Sequence, residues 1–194
     1  MSGINKPYLS QNHFLDWLNS PDQMLKRCRN NAIKLTKEQQ AFCDFGHSIH
    51  AKAQLLYPDG IEPVDDRTFL TFKTQSLALL KARIPLFEPQ FQYDGLAAKI
   101  DILVPIDDDS WELIEVKSAK KINKDWIAYT AFLYYVCINS GIKISKCSIM
   151  HLKGYINDST PLDEIFDKTD ITKQVKKLQG TIVDTICEMR KALK

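Results

Sequence analysis

The chain has 194 residues, of which 44% are hydrophobic and 26% charged, and its formal net charge is +2. This length and composition indicate one ordinary globular domain and leave little room for a second. The small net charge argues neither for nor against a nucleic-acid partner, because a local basic cluster can still hold a polyanion.

The cysteines and the apolar runs predict a cytoplasmic protein that does not associate with a membrane. The five cysteines form no C-x-x-C pair and lack zinc-ligand spacing, so reduced thiols are preferred over a disulfide framework or a metal cluster. The N-terminus has no apolar signal-peptide region. The longest apolar run, at 128–138, is shorter than the roughly 20 residues that a bilayer span requires.

The N-terminal part, at 1–82, is predicted to be mainly helical. Ser10 is a suitable N-cap for a first helix, and Pro21 is suited to start a second, short one. A further helix is expected within 66–83, at least from Thr71 onward.

Between these helices, Thr36 is expected to begin a longer one that ends at the Pro58-Asp59-Gly60 turn. Its apolar residues have the spacing of one buried stripe. They are Phe42, Phe45, Ile49 and Leu56.

The pattern then changes to strands. Segments 86–106 and 110–119 alternate like strands, and the Asp94-Gly95 pair is a hairpin-turn signal. A helix is expected from 123 to Gly141, and another strand at 146–156.

The last segment, at 170–194, has the spacing of an amphipathic helix that closes the domain. Its expected buried residues are Ile171, Val175, Leu178, Ile182 and Met189. The fold class is therefore α/β, a mixed sheet of about four to five strands flanked by helices. We expect one domain over 1–194, with a core at 83–158 and the closing helix at 159–194.

Three charges interrupt the predicted strands of the hairpin that begins at Gly95. They are Asp101, Glu115 and Lys117. Glu115 and Lys117 share one face, because side chains two residues apart in a strand point the same way.

The acidic loop sets the register of this hairpin. If the loop is the three residues 107–109, Ile106 pairs with Ser110 and Asp101 lies opposite Glu115. A loop of two or four residues would instead place Asp101 on the other face.

Two adjacent carboxylates repel each other unless a positive charge lies between them. Lys117 could supply that charge, but Mg²⁺ or Mn²⁺ suits the two oxygen ligands better. Such an ion polarises a phosphoryl oxygen and activates water, and Lys117 could orient that water or stabilise the developing charge. These residue types therefore favour phosphodiester hydrolysis. The alternative is a surface hairpin with an ordinary lysine–carboxylate pair and a solvated face.

These motifs resemble the PD-(D/E)XK nuclease superfamily, in which an acid ends one strand and (D/E)-x-K lies on the next. The matching segments are "KID" and "IEVKS". Upstream, "FGHSIHAKA" resembles the G-x-x-x-H helix of the RecB-like branch, which includes CRISPR-associated RecB-like exonucleases and uncharacterised bacterial proteins. The resemblance covers most of the chain. It implies a restriction-endonuclease-like core and a divalent-metal-dependent deoxyribonuclease.

The resemblance assigns roles to particular residues. His50, Asp101 and Glu115 would be the metal ligands, with Lys117 completing the catalytic set. Glu88 matches an acid that is common in these families, although it could equally be a surface acid at a strand entrance. His47 competes with His50 for the ligand role.

Helix geometry favours His50 over His47. Gly46 and His50 lie one turn apart on the same face, whereas His47 points about 60° away from His50. Gly46 is expected to let the helix approach the sheet closely enough for His50 to reach the carboxylates.

Two departures from the family pattern bear on activity and cofactors. Leu133 occupies the place of a glutamine found in many RecB-like enzymes. Tyr129, Tyr134 and Tyr135 are nearby and could replace the contact of that glutamine with the substrate, but aromatic core packing explains them equally well. Ser20-Pro21 stands where relatives with an iron–sulfur cluster have Cys-Pro, so no cluster is expected.

The expected partner is nucleic acid, DNA rather than RNA. Lys120, Lys121 and Lys124 follow the (D/E)-x-K strand and would bind phosphates, although a lysine run is usually a solvated face. The second hypothesis is a weakened or inactive nuclease-fold module that binds nucleic acid. The resemblance alone also suggests that this protein docks onto another protein of a DNA-processing assembly, through the exposed face of its last helix.

Overall fold

Two mixed sheets and the helices around them form the computed structural model, which describes residues 8–29, 36–63, 69–157 and 159–194. The helices are α1 Gln11–Asn19, α2 Pro21–Arg29, α3 Lys37–Gln54, α4 Phe69–Leu79, α5 Lys124–Asn139, α6 Leu162–Ile165, α7 Thr172–Lys177 and α8 Gln179–Ala192. The strands are β1 Leu9–Ser10, β2 Leu86–Phe87, β3 Gln90–Tyr93, β4 Leu96–Lys99, β5 Ile102–Pro105, β6 Trp111–Lys117, β7 Ile144–Leu152 and β8 Phe166–Asp170. The α/β class and the five-stranded mixed sheet confirm the predicted fold class.

The helix starts follow the predicted signals. Ser10 is the N-cap of α1, and Pro21 is the first residue of α2. Thr36 caps α3 in a reciprocal capping box with Gln39. The first residues of the fourth predicted helix, up to 68, lie outside the described residues, but helix is present from Phe69.

The larger sheet has the strand order β2-β5-β6-β7-β8. Strands β6 and β7 are parallel and are connected through α5, whereas the other pairs are antiparallel. The segment 159–194, for which only a helix was expected, also contributes β8. The closing helix is divided at Leu178 into α7 and α8.

The smaller sheet, with the order β1-β4-β3, was not predicted. A long hairpin connects the two sheets, because β2 continues into β3 and β4 continues into β5. Its register is unbroken: Phe87 pairs with Ile102 in the larger sheet, and Gln90 pairs with Lys99 in the smaller one. Two residues of each chain segment lie at the bend between the sheets.

Each face of the larger sheet has its own hydrophobic core. Leu113 and Ile149 pack with α5 and the C-terminal helices on one face. Ile114 and Val116 pack with Ile49 and Ala53 of α3 on the other.

The predicted stripe of α3 is wrong at Phe42 and Phe45, which are 70% and 42% exposed. Only the second half of α3 packs on the sheet, through Ile49 and Ala53. Among the described residues, no helix is both apolar and long enough to cross a membrane.

Candidate metal centre

Three carboxylates form a row across neighbouring strands at the bend between the sheets. Glu88 follows β2, Asp101 precedes β5 and Glu115 lies on β6. The hairpin register places Glu88 opposite Asp101, and the β5–β6 register places Asp101 opposite Glu115. The predicted alignment of Asp101 with Glu115 is therefore confirmed.

The predicted three-residue loop produces this alignment. The amide of Ile106 donates to the carbonyl of Ser110 at 3.0 Å, which closes the loop around 107–109. Asp107 shapes the loop, because its carboxylate accepts hydrogen bonds from the amides of Asp109 and Ser110.

The bend holds Asp101 and Glu88 in fixed positions. A carboxylate oxygen of Asp101 accepts a hydrogen bond of 2.8 Å from the amide of Val116. The Asp101 carbonyl accepts from the amide of Glu88 at 3.1 Å. Glu88 has a φ of +54°, a left-handed conformation that is costly for a residue other than glycine.

His50 extends from α3 to the outer end of this row. Its Nδ1 lies 3.6 Å from an oxygen of Asp101 and 3.9 Å from an oxygen of Glu88. One potential ligand atom from each of His50, Glu88 and Asp101 lies within 4.8 Å of the others. His47 is exposed on the helix surface.

The expected role of Gly46 is wrong. A methyl group added at Gly46 would meet no atom within 4 Å, so α3 makes no close approach there. His50 reaches the carboxylates because Ile49 and Ala53 pack the second half of α3 on the sheet.

Glu115 is fully buried beside this group and not within it. Its Oε2 pairs with Nζ of Lys117 at 2.9 Å, while its Oε1 has no hydrogen-bond partner among the described residues. Burial, and then the charge of Asp101, raise the pKa of Glu115 to about 8, although Lys117 opposes this shift.

The charges at the outer end of the row support one another. Burial lowers the pKa of His50, but its pairing with Glu88 and the charges of Asp101 and Glu115 outweigh it, so the pKa of His50 is raised. Burial raises the pKa of Glu88, but His50 and Lys99 outweigh it, so the pKa of Glu88 is lowered. Nζ of Lys99 lies 2.5 Å from an oxygen of Glu88.

Lys117 and Tyr129 close the inner side of the site. Burial lowers the pKa of Lys117, but the charges of Glu115 and Asp101 outweigh it, so its pKa is raised. The Lys117 ammonium lies 4.7 Å from the ring centroid of Tyr129 on α5. Burial, followed by the charges of Glu115 and Asp101, raises the pKa of Tyr129, although Gln11 at the start of α1 opposes this shift.

The other predicted residues lie away from the carboxylates. Lys120, Lys121 and Lys124 are exposed beyond the end of β6. Leu133 is fully buried in the core, so it presents no group to the site.

Sequence reasoning missed the pairing of Glu88 with Asp101 and the contact from Lys99. The Asp94-Gly95 signal contains this information, because a two-residue turn pairs Tyr93 with Leu96. Counting back along both strands from that pair places Glu88 opposite Asp101.

The donor set fits a hard divalent cation. Carboxylate oxygens with one imidazole nitrogen suit Mg²⁺ or Mn²⁺, and Mn²⁺ accepts imidazole more readily than Mg²⁺ does. The buried Oε1 of Glu115, which has no partner among the described residues, is a further oxygen that a cation would satisfy.

Comparison with known proteins identifies a fold and no family. No family model matches the sequence, and no curated protein matches it. Two crystal structures of an alkaline exonuclease, LHK-Exo from Laribacter hongkongensis, each align with 95% of this chain and 88% of the exonuclease chain. The structure with bound dAMP has a TM-score of 0.51 and the other 0.52, both at 12% sequence identity. The chain therefore shares the fold of a nuclease.

Proposed function

We propose that this protein is a divalent-metal-dependent nuclease of the PD-(D/E)XK type that hydrolyses DNA phosphodiester bonds. The observation that carries this proposal is the convergence of His50, Glu88 and Asp101 beside the buried Glu115–Lys117 pair. The shared fold with an alkaline exonuclease that binds dAMP supports the same reaction class.

His50, Asp101 and Glu115 would hold Mg²⁺ or Mn²⁺, with Glu88 as a further oxygen ligand. When bound, the ion would polarise a phosphoryl oxygen and lower the pKa of a water molecule. Asp101 is central to this set, because the Val116 amide fixes its carboxylate between Glu88 and Glu115.

Lys117 would contribute through its ammonium group. The charges of Glu115 and Asp101 outweigh burial and raise the pKa of Lys117, which favours the charged form. Its ammonium group, held by Glu115 and the ring of Tyr129, orients the attacking water and stabilises negative charge that develops on the phosphorus oxygens.

The test is DNA cleavage by the purified full chain in Mn²⁺ or Mg²⁺, on single-stranded and double-stranded DNA. We expect cleavage by the wild type and at least about 100-fold slower cleavage by Lys117→Ala. Equal cleavage by both proteins would assign the activity to a contaminant and refute the proposal.

A second candidate, a nuclease-fold module that binds nucleic acid without cutting it, is favoured by one observation. Glu88 and Glu115 each already pair with an ammonium group, from Lys99 and Lys117, so the site needs no cation to balance these two charges. Salt-sensitive DNA binding by the wild type, without cleavage in any divalent ion, would support this candidate against the nuclease.

A further inference from the structure

Two exposed side chains lie together where the parallel strands β6 and β7 end. The ammonium group of Lys120 lies over the ring of Tyr155, 3.0 Å from its centroid. The two loops that carry them are joined by a hydrogen bond of 3.0 Å from the amide of Leu152 to the carbonyl of Ala119. Both residues therefore lie at the end of the sheet to which Lys117 belongs.

Tyr155 is unusual for an aromatic residue in a folded domain, because it is 96% exposed. It contributes almost nothing to either hydrophobic core. Lys120 contacts one face of the ring, and the exposure of the side chain leaves the remaining ring surface open to solvent. An exposed ring with an adjacent cation is the combination that binds unpaired bases, because the ring stacks on a base while the cation attracts a phosphate.

The charge around the pair favours a nucleic acid. Lys121 and Lys153 flank Lys120 and Tyr155 in the two loops, and both side chains are exposed. The neighbouring lysines make this end of the sheet attractive to a polyanion.

We infer that Tyr155 and Lys120 form a binding site for one unpaired nucleotide of single-stranded DNA, with Tyr155 stacked on the base and Lys120 on the phosphate. This inference rests on the proposed function, since it takes DNA as the substrate. It adds that an unwound strand, and not intact duplex, passes this end of the sheet.

The separation from the metal centre suits this role. Lys120 follows Lys117 by three residues, so their Cα atoms are at most about 10 Å apart. The stacked base would therefore lie within a few nucleotides of the phosphate at the metal centre.

The test measures binding of a labelled oligothymidine of about 12 nucleotides, a usual length for such sites, in EDTA so that no hydrolysis occurs. We expect Tyr155→Ala to weaken binding about 10-fold and Tyr155→Phe to leave it within about twofold of the wild type. Tyr8→Ala is the matched control, because Tyr8 is 55% exposed and its hydroxyl bonds Gln92 of β3, which belongs to the smaller sheet and not to the sheet that contains β6.

An abasic scan locates the stacked base. One abasic position in the oligonucleotide should weaken binding to the wild type and have no effect on binding to Tyr155→Ala. Lys120→Ala should reduce the slope of log affinity against log salt concentration by about the amount that one phosphate contact contributes.

Three results would overturn the inference. The first is that the wild type does not bind the oligonucleotide, and the second is that the wild type and Tyr155→Ala bind it equally. The third is that Tyr155→Ala loses the same affinity for single-stranded DNA as for blunt duplex DNA. Cleavage in Mn²⁺ by wild type and Lys117→Ala is read separately. If Tyr155 contributes to DNA binding but the protein does not cleave DNA, the nucleotide-binding site is retained and the proposed nuclease function is rejected.

Discussion

Asp101 and Val116 join two strands through a hydrogen bond between side chain and backbone, in which the Val116 amide donates to the Asp101 carboxylate at 2.8 Å. Val116 itself faces the opposite core, and its neighbours in sequence, Glu115 and Lys117, face Asp101. The bond thus positions Asp101 against both side chains. A substitution of Asp101 that keeps this hydrogen bond therefore changes the charge of the site with little change to its shape.

Replacing Asp101 with asparagine should separate metal binding from folding. The amide oxygen of Asp101→Asn can still accept the bond from Val116, so the melting temperature should stay within a few degrees of the wild type. Loss of the central negative charge should reduce cleavage by about 100-fold or more. The matched control is Asp109→Asn, because Asp109 is an exposed partner of Lys143 in the hairpin loop. Loss of activity in the control, or full activity in Asp101→Asn, would contradict the assignment.

Removing the ammonium group of Lys117 should destabilise the metal-free protein. Lys117→Met leaves the fully buried Glu115 carboxylate without its ion-pair partner, which costs about 3 kcal/mol in comparable buried pairs. The double variant Glu115→Gln, Lys117→Met should recover most of that loss and remain inactive. Urea denaturation in EDTA measures the free energies of unfolding. If the double variant is as unstable as Lys117→Met, the loss of the Glu115–Lys117 ion pair is not the cause of the destabilisation.

Divalent ions should raise the melting temperature through His50 and not through His47. Mn²⁺ at 100 times its dissociation constant stabilises the folded protein by about 2.7 kcal/mol, which corresponds to about 5 to 10 °C for a chain of this length. His50→Ala should reduce this shift at a given Mn²⁺ concentration, while His47→Ala should not, because His47 is exposed on the surface of α3. Equal Mn²⁺ shifts in both variants would remove His50 from the site.

Glu112 should make stability sensitive to acid. Its carboxylate accepts a 2.6 Å hydrogen bond from Ser148 and a 3.0 Å bond from Lys168, and Lys146 lies 3.2 Å away. Burial raises the pKa of Glu112, but these partners outweigh it, so the pKa falls below its ordinary value of 4.5.

Since the folded-state pKa is the lower one, this stabilisation is present above about pH 4.5 and is lost as the pH falls through the folded-state pKa. Glu112→Gln should therefore lower the free energy of unfolding by about 1 to 3 kcal/mol at pH 7 and by less at pH 3. Urea denaturation at the two pH values measures both differences. If the wild type and Glu112→Gln differ by the same free energy of unfolding at both pH values, the charge of Glu112 does not contribute to stability.

Gly46→Ala should stabilise the protein without loss of function. An added methyl group meets nothing within 4 Å, and alanine is favoured over glycine inside a helix by about 0.5 to 1 kcal/mol. Metal binding and cleavage should be unchanged. A loss of either would restore the close-approach role that the sequence suggested for this glycine.

Local sequence signals were sufficient to predict features that depend on residues close together in the sequence. Ser10 and Thr36 begin helices because their side chains suit the N-cap position, as predicted. The register that aligns Asp101 with Glu115 was also predictable, because a three-residue loop and the two-residue period of a strand leave one parity.

Contacts between distant segments could not be derived in this way. Phe42 and Phe45 have helical spacing, but their exposure depends on how much of α3 reaches the sheet, which periodicity does not contain. The left-handed conformation of Glu88 and the contact between His50 and Asp101 arise where the hairpin bends from one sheet into the other. Sequence period assigns a residue to one face of its own element, whereas a metal centre depends on distances between elements, and only tertiary packing sets those distances.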